Sequence, residues 1–332
     1  MTTQKPKSKP VAVLISDVHY SLSTLQLADT AFRMAIDHAA MLGVTLVDCG
    51  DLTNDKAVLR GEVVNALIST SKYAAEKGVE VTCIVGNHSL LNEKHSAHAI
   101  EFLRPFWYIV DEPWYGGKMT CIPYQSTPEA FSEALNHSDN SRIILIHQGV
   151  KGGSAGHYIQ DHSAVDLATL EGYRSIGGHY HNHHTIGNHT FVGNPYTLTF
   201  GEHADGPKGF CVLYDDGSLE QIPTNLRKHI KVERNWDDLT PVLNYKAGDL
   251  VWVKVTGPAM ELDKLDKATL CKKLCIDTSF KLDLVPVDAP KLQSDISDYK
   301  NHAEILDQLI AASAESAENK AAIVRTYKEL MK

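Results

Sequence analysis

Alternation between short apolar runs and amphipathic stretches in the first quarter of the chain limits its fold more than any other feature. Val11–Ser16 has the pattern of a buried strand, Leu25–Met41 carries helical 3.6-residue periodicity, and Gly43 is placed to cap it. Val44–Cys49 repeats the strand pattern, Val58–Lys77 the helical one with Gly78 as its stop, and Val79–Val85 is a third strand. Strand, helix, strand, helix, strand at this spacing predicts a parallel sheet with right-handed crossovers. Ligands in such sheets gather at the carboxyl ends of strands. There the sequence puts Asp17 and His19, then Asp51, then Asn87 and His88.

Beyond this unit, His95–Arg104 reads as a helix, and Phe106–Val110 and Lys118–Pro123 as short strands around a Pro113–Gly117 turn. Pro128–Asn136 is helical, Arg142–Ile146 is a buried strand delivering His147, and Gln148–Ser163 reads as a surface loop rich in Gly and His. The run Tyr173–Ile176 leads into Gly177-Gly178-His179-Tyr180-His181-Asn182-His183-His184. Residues two apart project to the same side of extended backbone, so His179 and His181 can face one point. The pattern then becomes alternating, in Thr185–Val192, Gly209–Tyr214 and Leu219–Ile222, with an Asp-Gly turn between the last two. That predicts a second, mostly antiparallel sheet packed on the first. Composition changes around Pro223–Trp236. Trp236–Val287 reads as a small α/β cap with strands at Leu250–Thr256 and Ser279–Val287 and a helix at Met260–Leu274. Asp288–Asp298 reads as a linker, and Tyr299–Met331 as one or two amphipathic helices. The expected domains are 1–230, 231–288 and 289–332.

Charge and composition remove several function classes. The net charge of −9, with no strong basic run, argues against nucleic-acid binding by overall charge, though not against a local positive site made by bound cations. No apolar run approaches membrane-spanning length, and Met1–Pro10 lacks the apolar core of a signal peptide. Six cysteines without a CxxC fit a reduced, cytoplasmic protein.

Seven donors stand at strand exits: Asp17, His19, Asp51, Asn87, His147, His179 and His181. Carboxylate, amide oxygen and imidazole without thiolate suit manganese, iron or zinc. Seven exceed what one tetrahedral ion takes and fit two ions sharing a bridging carboxylate, for which Asp51 is the natural choice. Two metals about 3.5–4 Å apart can clamp a phosphoryl group for in-line attack. His88, beside Asn87, is placed to protonate the leaving oxygen. Taken singly, each residue has an ordinary explanation. An Asp at a strand end caps helices or forms turns, Asn87 suits a left-handed turn, and most histidines bind no metal. Their shared order and placement after strands are what those explanations leave unaccounted for.

Asp17-Val18-His19, Gly50-Asp51, Gly86-Asn87-His88, His147 and Gly178-His179-Tyr180-His181 resemble, in order, the motifs of calcineurin-like metallophosphoesterases. That resemblance covers about residues 11–222 and implies a four-layer α/β/β/α sandwich. It also implies one metal on Asp17, His19, Asp51 and His181, a second on Asp51, Asn87, His147 and His179, and His88 as the acid. The residues after the second and third motifs, Leu52-Thr53-Asn54-Asp55 and Ser89, differ from those of the family's protein phosphatases. Ser89 also stands where many members carry an acid that supports the neighbouring histidine. The segment Phe191–Glu202, followed by Lys208-Gly209-Phe210, is similar to SbcD-type recombination nucleases, and more so to their tailed-phage counterparts. That branch implies a DNA exonuclease and endonuclease subunit in recombination or end processing, with manganese as its metal (magnesium, iron and zinc being the alternatives). It further implies a capping domain, C-terminal helices that bind an SMC-like coiled-coil ATPase of the SbcC type, a homodimer, no membrane, and host cytoplasm if phage-encoded. Two other readings stand beside it: a small-molecule phosphodiesterase or nucleotide pyrophosphatase, and a non-catalytic scaffold for such an ATPase.

Overall fold

The computed structural model describes residues 8–56, 58–92, 97–116, 119–138, 142–154, 161–277 and 279–287, with 310, 319–321 and 323. Two compact units divide it, Met1–His229 and Ile230–Lys332. The linker and terminal helices expected over 288–331 fall almost wholly outside the described residues.

In the first unit, β1 (Pro10–Ile15), α1 (Leu25–Leu42), β2 (Thr45–Asp48), α2 (Gly61–Glu76), β3 (Val81–Ile84) and β4 (Tyr108–Val110) follow the expected alternation. Gly43 ends α1 in the left-handed region at φ 67°, its N–H directed at the carbonyls of Ala39 and Ala40. β1 to β4 are parallel neighbours. β11 (Gly209–Tyr214) and β12 (Leu219–Pro223) form the expected hairpin, but β11 pairs antiparallel with β1 and so extends the first sheet to six strands.

The second sheet runs in the order β5-β6-β7-β8-β10-β9, made of Trp114–Gly116, Met119–Ile122, Ile143–His147, Arg174–Gly178, His189–Phe191 and His184–Ile186. It corrects the expectation of a mostly antiparallel sheet: β6, β7, β8 and β10 are parallel neighbours, and antiparallel pairing is confined to its edges. The helix α3 (Pro128–Asn136) supplies the crossover from β6 to β7, and the long 148–173 connection carries the chain from β7 to β8. The alternation seen at 185–192 belongs to a single edge hairpin. The helix expected at His95–Arg104 is not formed by the described part of that stretch, which holds only a 3₁₀ turn at Glu101–Leu103.

Three apolar layers separate the elements. Along β1, Val13 and Ile15 pack with Phe32, Ile36 and Leu67 of the helices, while Ala12 and Leu14 face Leu145 and Ile176 of the other sheet. Phe131 and Leu135 of α3 cover the outer face of the second sheet against Ile144, Ile146 and Phe191. The order is therefore α/β/β/α. Each large side chain buried this fully contributes about 1.5–3 kcal/mol, so the sheet ends are held by cores on both faces.

The second unit has a three-stranded sheet of β13 (His229–Asn235), β14 (Leu250–Gly257) and β15 (Lys281–Pro286), with β14 central. β13 was not foreseen. The helix expected over Met260–Leu274 is two, α4 (Ala259–Leu262) and α5 (Lys267–Leu274), because Asp266 caps a new start through the Thr269 N–H. Among the described residues no helix is long and apolar enough to cross a membrane, and all six cysteines are free.

Candidate metal centre

All five motifs lie just past the carboxyl ends of parallel strands, three from the first sheet and two from the second. Asp17 and His19 follow β1, Asp51 follows β2, Asn87 and His88 follow β3, His147 closes β7, and His179 and His181 follow β8. The loops are laced together by main-chain bonds, Asp17 N–H to the Gly50 carbonyl at 2.9 Å and His19 N–H to the Asp51 carbonyl at 3.0 Å. Their backbone is strained. Asp17, His19, Asp51 and His179 all have positive φ, of 52°, 50°, 55° and 98°. Side chains rarely adopt that region, and strain of about 1–3 kcal/mol per residue tends to collect where function demands it. Gly50 and Gly86 have a different reason. A Cβ on Gly50 would strike the His147 ring, and one on Gly86 the Asp51 carboxylate.

The seven side chains converge as two clusters. Asp17, His19 and His181 form one; Asp51, His147 and His179 form the other. In the first, His19 Nε2 is 3.2 Å from His181 Nε2, which is 4.0 Å from Asp17 Oδ1. In the second, Asn87 Oδ1 is 3.1 Å from His147 Nε2 and 2.9 Å from His179 Nδ1. Asp51 stands between them, its Oδ2 3.3 Å from His147 and 3.9 Å from His19, while Oδ1 accepts the His88 N–H at 2.8 Å. His179 and His181 therefore do not face one point, as extended backbone would allow. The strand ends at Gly178, and the left-handed turn at His179 sends the two rings to different clusters.

Hydrogen bonds fix which ring nitrogen is bare. The His147 Nδ1–H donates to the Cys49 carbonyl at 2.8 Å, leaving its Nε2 lone pair toward the Asp51 and Asn87 oxygens. The His181 Nδ1–H donates to Glu202 Oε1 at 3.0 Å, leaving Nε2 toward His19. The His179 Nε2–H donates to Asp161 Oδ2 at 2.9 Å, leaving Nδ1 toward Asn87. Acceptors aimed at acceptors repel unless a cation or a proton lies among them. Two such gatherings of hard and borderline donors fit two divalent cations.

Titration behaviour follows from burial and neighbours. Burial drives His19 down to about 4, with Asp51 offsetting only part of it. Burial also opposes a charged His147, but the Asp51 carboxylate outweighs it and leaves that imidazole at about 9. Asp51 would be raised by burial, and His147 instead holds it well below the usual range. Burial raises Glu202 too, yet its bond from His181 and the charge of Lys208 take it to about 2.

His88 is half-buried, its ring 4.8 Å edge-on from that of His19. Its Nδ1–H donates to the Asn54 carbonyl at 2.9 Å, so a main-chain group orients it where an acidic side chain is lacking. Ser89 is buried with its hydroxyl unpartnered. Sequence reading missed Asp161 and Glu202. Glu202 lay inside a segment carrying a resemblance but had no role there. Asp161 sits in the stretch read as a surface loop, and no spacing rule links it to His179. A third group, His98, Glu101 and Asp111, surrounds the Arg104 guanidinium, which already supplies its cation.

No protein-family model matches the chain. It is 24% identical over 213 residues to exonuclease subunit 1 of Enterobacteria phage T4, covering 60% of this chain and 62% of that protein's length. A search of solved structures finds a dimetal phosphatase from Danio rerio at 12% identity and a TM-score of 0.37, over 63% of this chain and 93% of that one.

Proposed function

We propose that the chain is a two-metal phosphodiesterase acting on DNA, the nuclease subunit of a recombination or end-processing complex. The observation that carries the hydrolytic reading is the convergence of seven donors on two adjacent clusters around Asp51, with His88 at their edge. DNA as substrate is supported by the distant likeness to a phage exonuclease subunit. Asp17, His19, Asp51 and His181 would hold one ion, and Asp51, Asn87, His147 and His179 the other. Manganese is the first choice. Bound there, two divalent ions polarise a phosphoryl oxygen and stabilise the charge that builds on it.

The remaining roles fall to side chains. Asp51, with Oδ1 pinned by the His88 N–H, presents Oδ2 to both clusters in one orientation. With its Nδ1–H held by the Asn54 carbonyl, His88 would act as the acid in its imidazolium form, giving the second proton, on Nε2, to the leaving oxygen and keeping the one on Nδ1. Residues 1–230 would carry the reaction and 231–288 would cap it. Residues 289–332 would bind an SMC-like coiled-coil ATPase, and a homodimer would form through the first helices. A full-length preparation given manganese should degrade linear DNA in preference to cyclic nucleotides or dinucleoside polyphosphates. Preference for either small substrate would favour the nucleotide pyrophosphatase reading instead.

A further inference from the structure

Behind His181 lies a cavity of about 440 Å³, lined entirely by residues of the first unit. Its size falls in the range of small-molecule sites. Glu202, which holds the His181 ring, is part of its wall, so the cavity backs directly onto the first cluster. Pro207, Pro223 and Leu226 give it apolar surface, while Lys208, Arg227 and Lys228 bring positive charge.

Those cations are not equivalent. Lys208 is committed: its Nζ is 2.6 Å from Asp205, 3.3 Å from Glu202 and 2.9 Å from the His181 carbonyl. Arg227 makes no ion pair among the described residues, and its Nε is buried without a hydrogen-bond partner. It also lines a second cavity, of about 520 Å³, beside the start of α1, where the carboxylate in the wall, Asp29, is paired with Arg33. A guanidinium cannot shed its charge, and leaving one half-buried and unpaired is costly. The carboxylates in the wall of the first cavity, Glu202 and Asp205, are both committed to Lys208, and neither forms an ion pair with Arg227. An anion from outside the chain would supply the missing partner.

We propose that this cavity is a nucleotide subsite, in which Arg227 anchors a phosphate group, Lys228 adds a second charge, and the apolar wall takes sugar or base. Identifying the anion as a nucleotide phosphate rests on the phosphodiesterase reading. A phosphate in a strand and one on a free mononucleotide share this chemistry.

The test uses full-length protein in chelator, titrated calorimetrically with thymidine 5′-monophosphate, with thymidine, and with a 5′-phosphorylated oligothymidylate. Wild type should bind the monophosphate and not thymidine. Arg227→Gln should weaken binding by about tenfold or more, Arg227→Lys should restore part of it, and Asp51→Asn should retain it. Lys228→Gln, at an exposed position, should weaken it less and stands in should Arg227→Gln not fold. Tighter binding of the oligonucleotide identifies a strand as occupant; equal binding identifies a free nucleotide. The proposal is overturned if wild type does not bind the monophosphate, or if folded variants bind as wild type does. Loss in Asp51→Asn alone also overturns it, by moving the phosphate to the metal clusters. Arg227-dependent binding in a chain with no metal-dependent turnover would keep the subsite and sink the proposed reaction; turnover without such binding would do the reverse.

Discussion

His19 and His147 hold matching places in the two clusters, each an imidazole beside Asp51, yet one sits at about 4 and the other at about 9. Distance and company separate them. His147 is 3.3 Å from the Asp51 carboxylate and hydrogen-bonded to Cys49, whereas His19 is 3.9 Å away with His181 and His88 as further imidazole neighbours. Without metal, the second cluster keeps a proton on His147 where a cation belongs; in the first, burial keeps His19 neutral, while on His181 the bond to Glu202 outweighs burial and favours a proton. The same residue type in the same motif set thus answers pH in opposite senses.

Removing what the clusters share should have the largest effect. Asp51→Asn is expected to abolish hydrolysis and weaken both metals, since a neutral amide cannot bridge two dications; metal content and turnover check this together. Retention of both ions at near-native activity would separate the clusters. His88→Gln should come next, slowing cleavage by about 10²–10⁴ while both metals stay bound. Loss of metal in that variant would make His88 a ligand instead of the acid.

The outer supports sharpen the comparison. Glu202→Gln should weaken the ion of the first cluster and Asp161→Asn that of the second, each by about 10–100-fold. Competition with a metal-sensitive dye would read the two affinities, and equal loss of both ions in either variant would contradict the pairing of supports to clusters.

The smallest effect is on stability of the metal-free chain. Between pH 6.5 and about 9 the folded state keeps a proton on His147 that the unfolded state has released, so stability falls as pH rises through that window. Between 6.5 and about 4 the unfolded state binds a proton that buried His19 refuses, so stability falls as pH drops. Thermal midpoints measured in chelator should decline on both sides. His147→Gln should flatten the alkaline limb and His19→Gln the acidic one; the opposite assignment would invert the account of the two clusters.

The parallel strands β1 to β3 and the placing of a motif after each were legible because both are local, whereas the joining of β11 to β1 was not. Buried parallel strands are short apolar runs, and each motif follows one directly, as Asp17 follows β1. The second sheet was not, because β6, β7, β8 and β10 pair across crossovers whose direction no local alternation records. Nor did residue spacing alone show that His179 and His181 part company, since that depends on one left-handed residue. Asp161 and Glu202 are 18 and 21 residues from the histidines they hold, and only folding brings them there.

The central claim is that two ions share Asp51. Anomalous diffraction from crystals of the full chain loaded with manganese tests it directly. The account predicts two peaks, one at Asp17, His19 and His181 and one at Asn87, His147 and His179, both within bonding distance of the Asp51 carboxylate. A single peak, or two peaks of which only one touches Asp51, would contradict it.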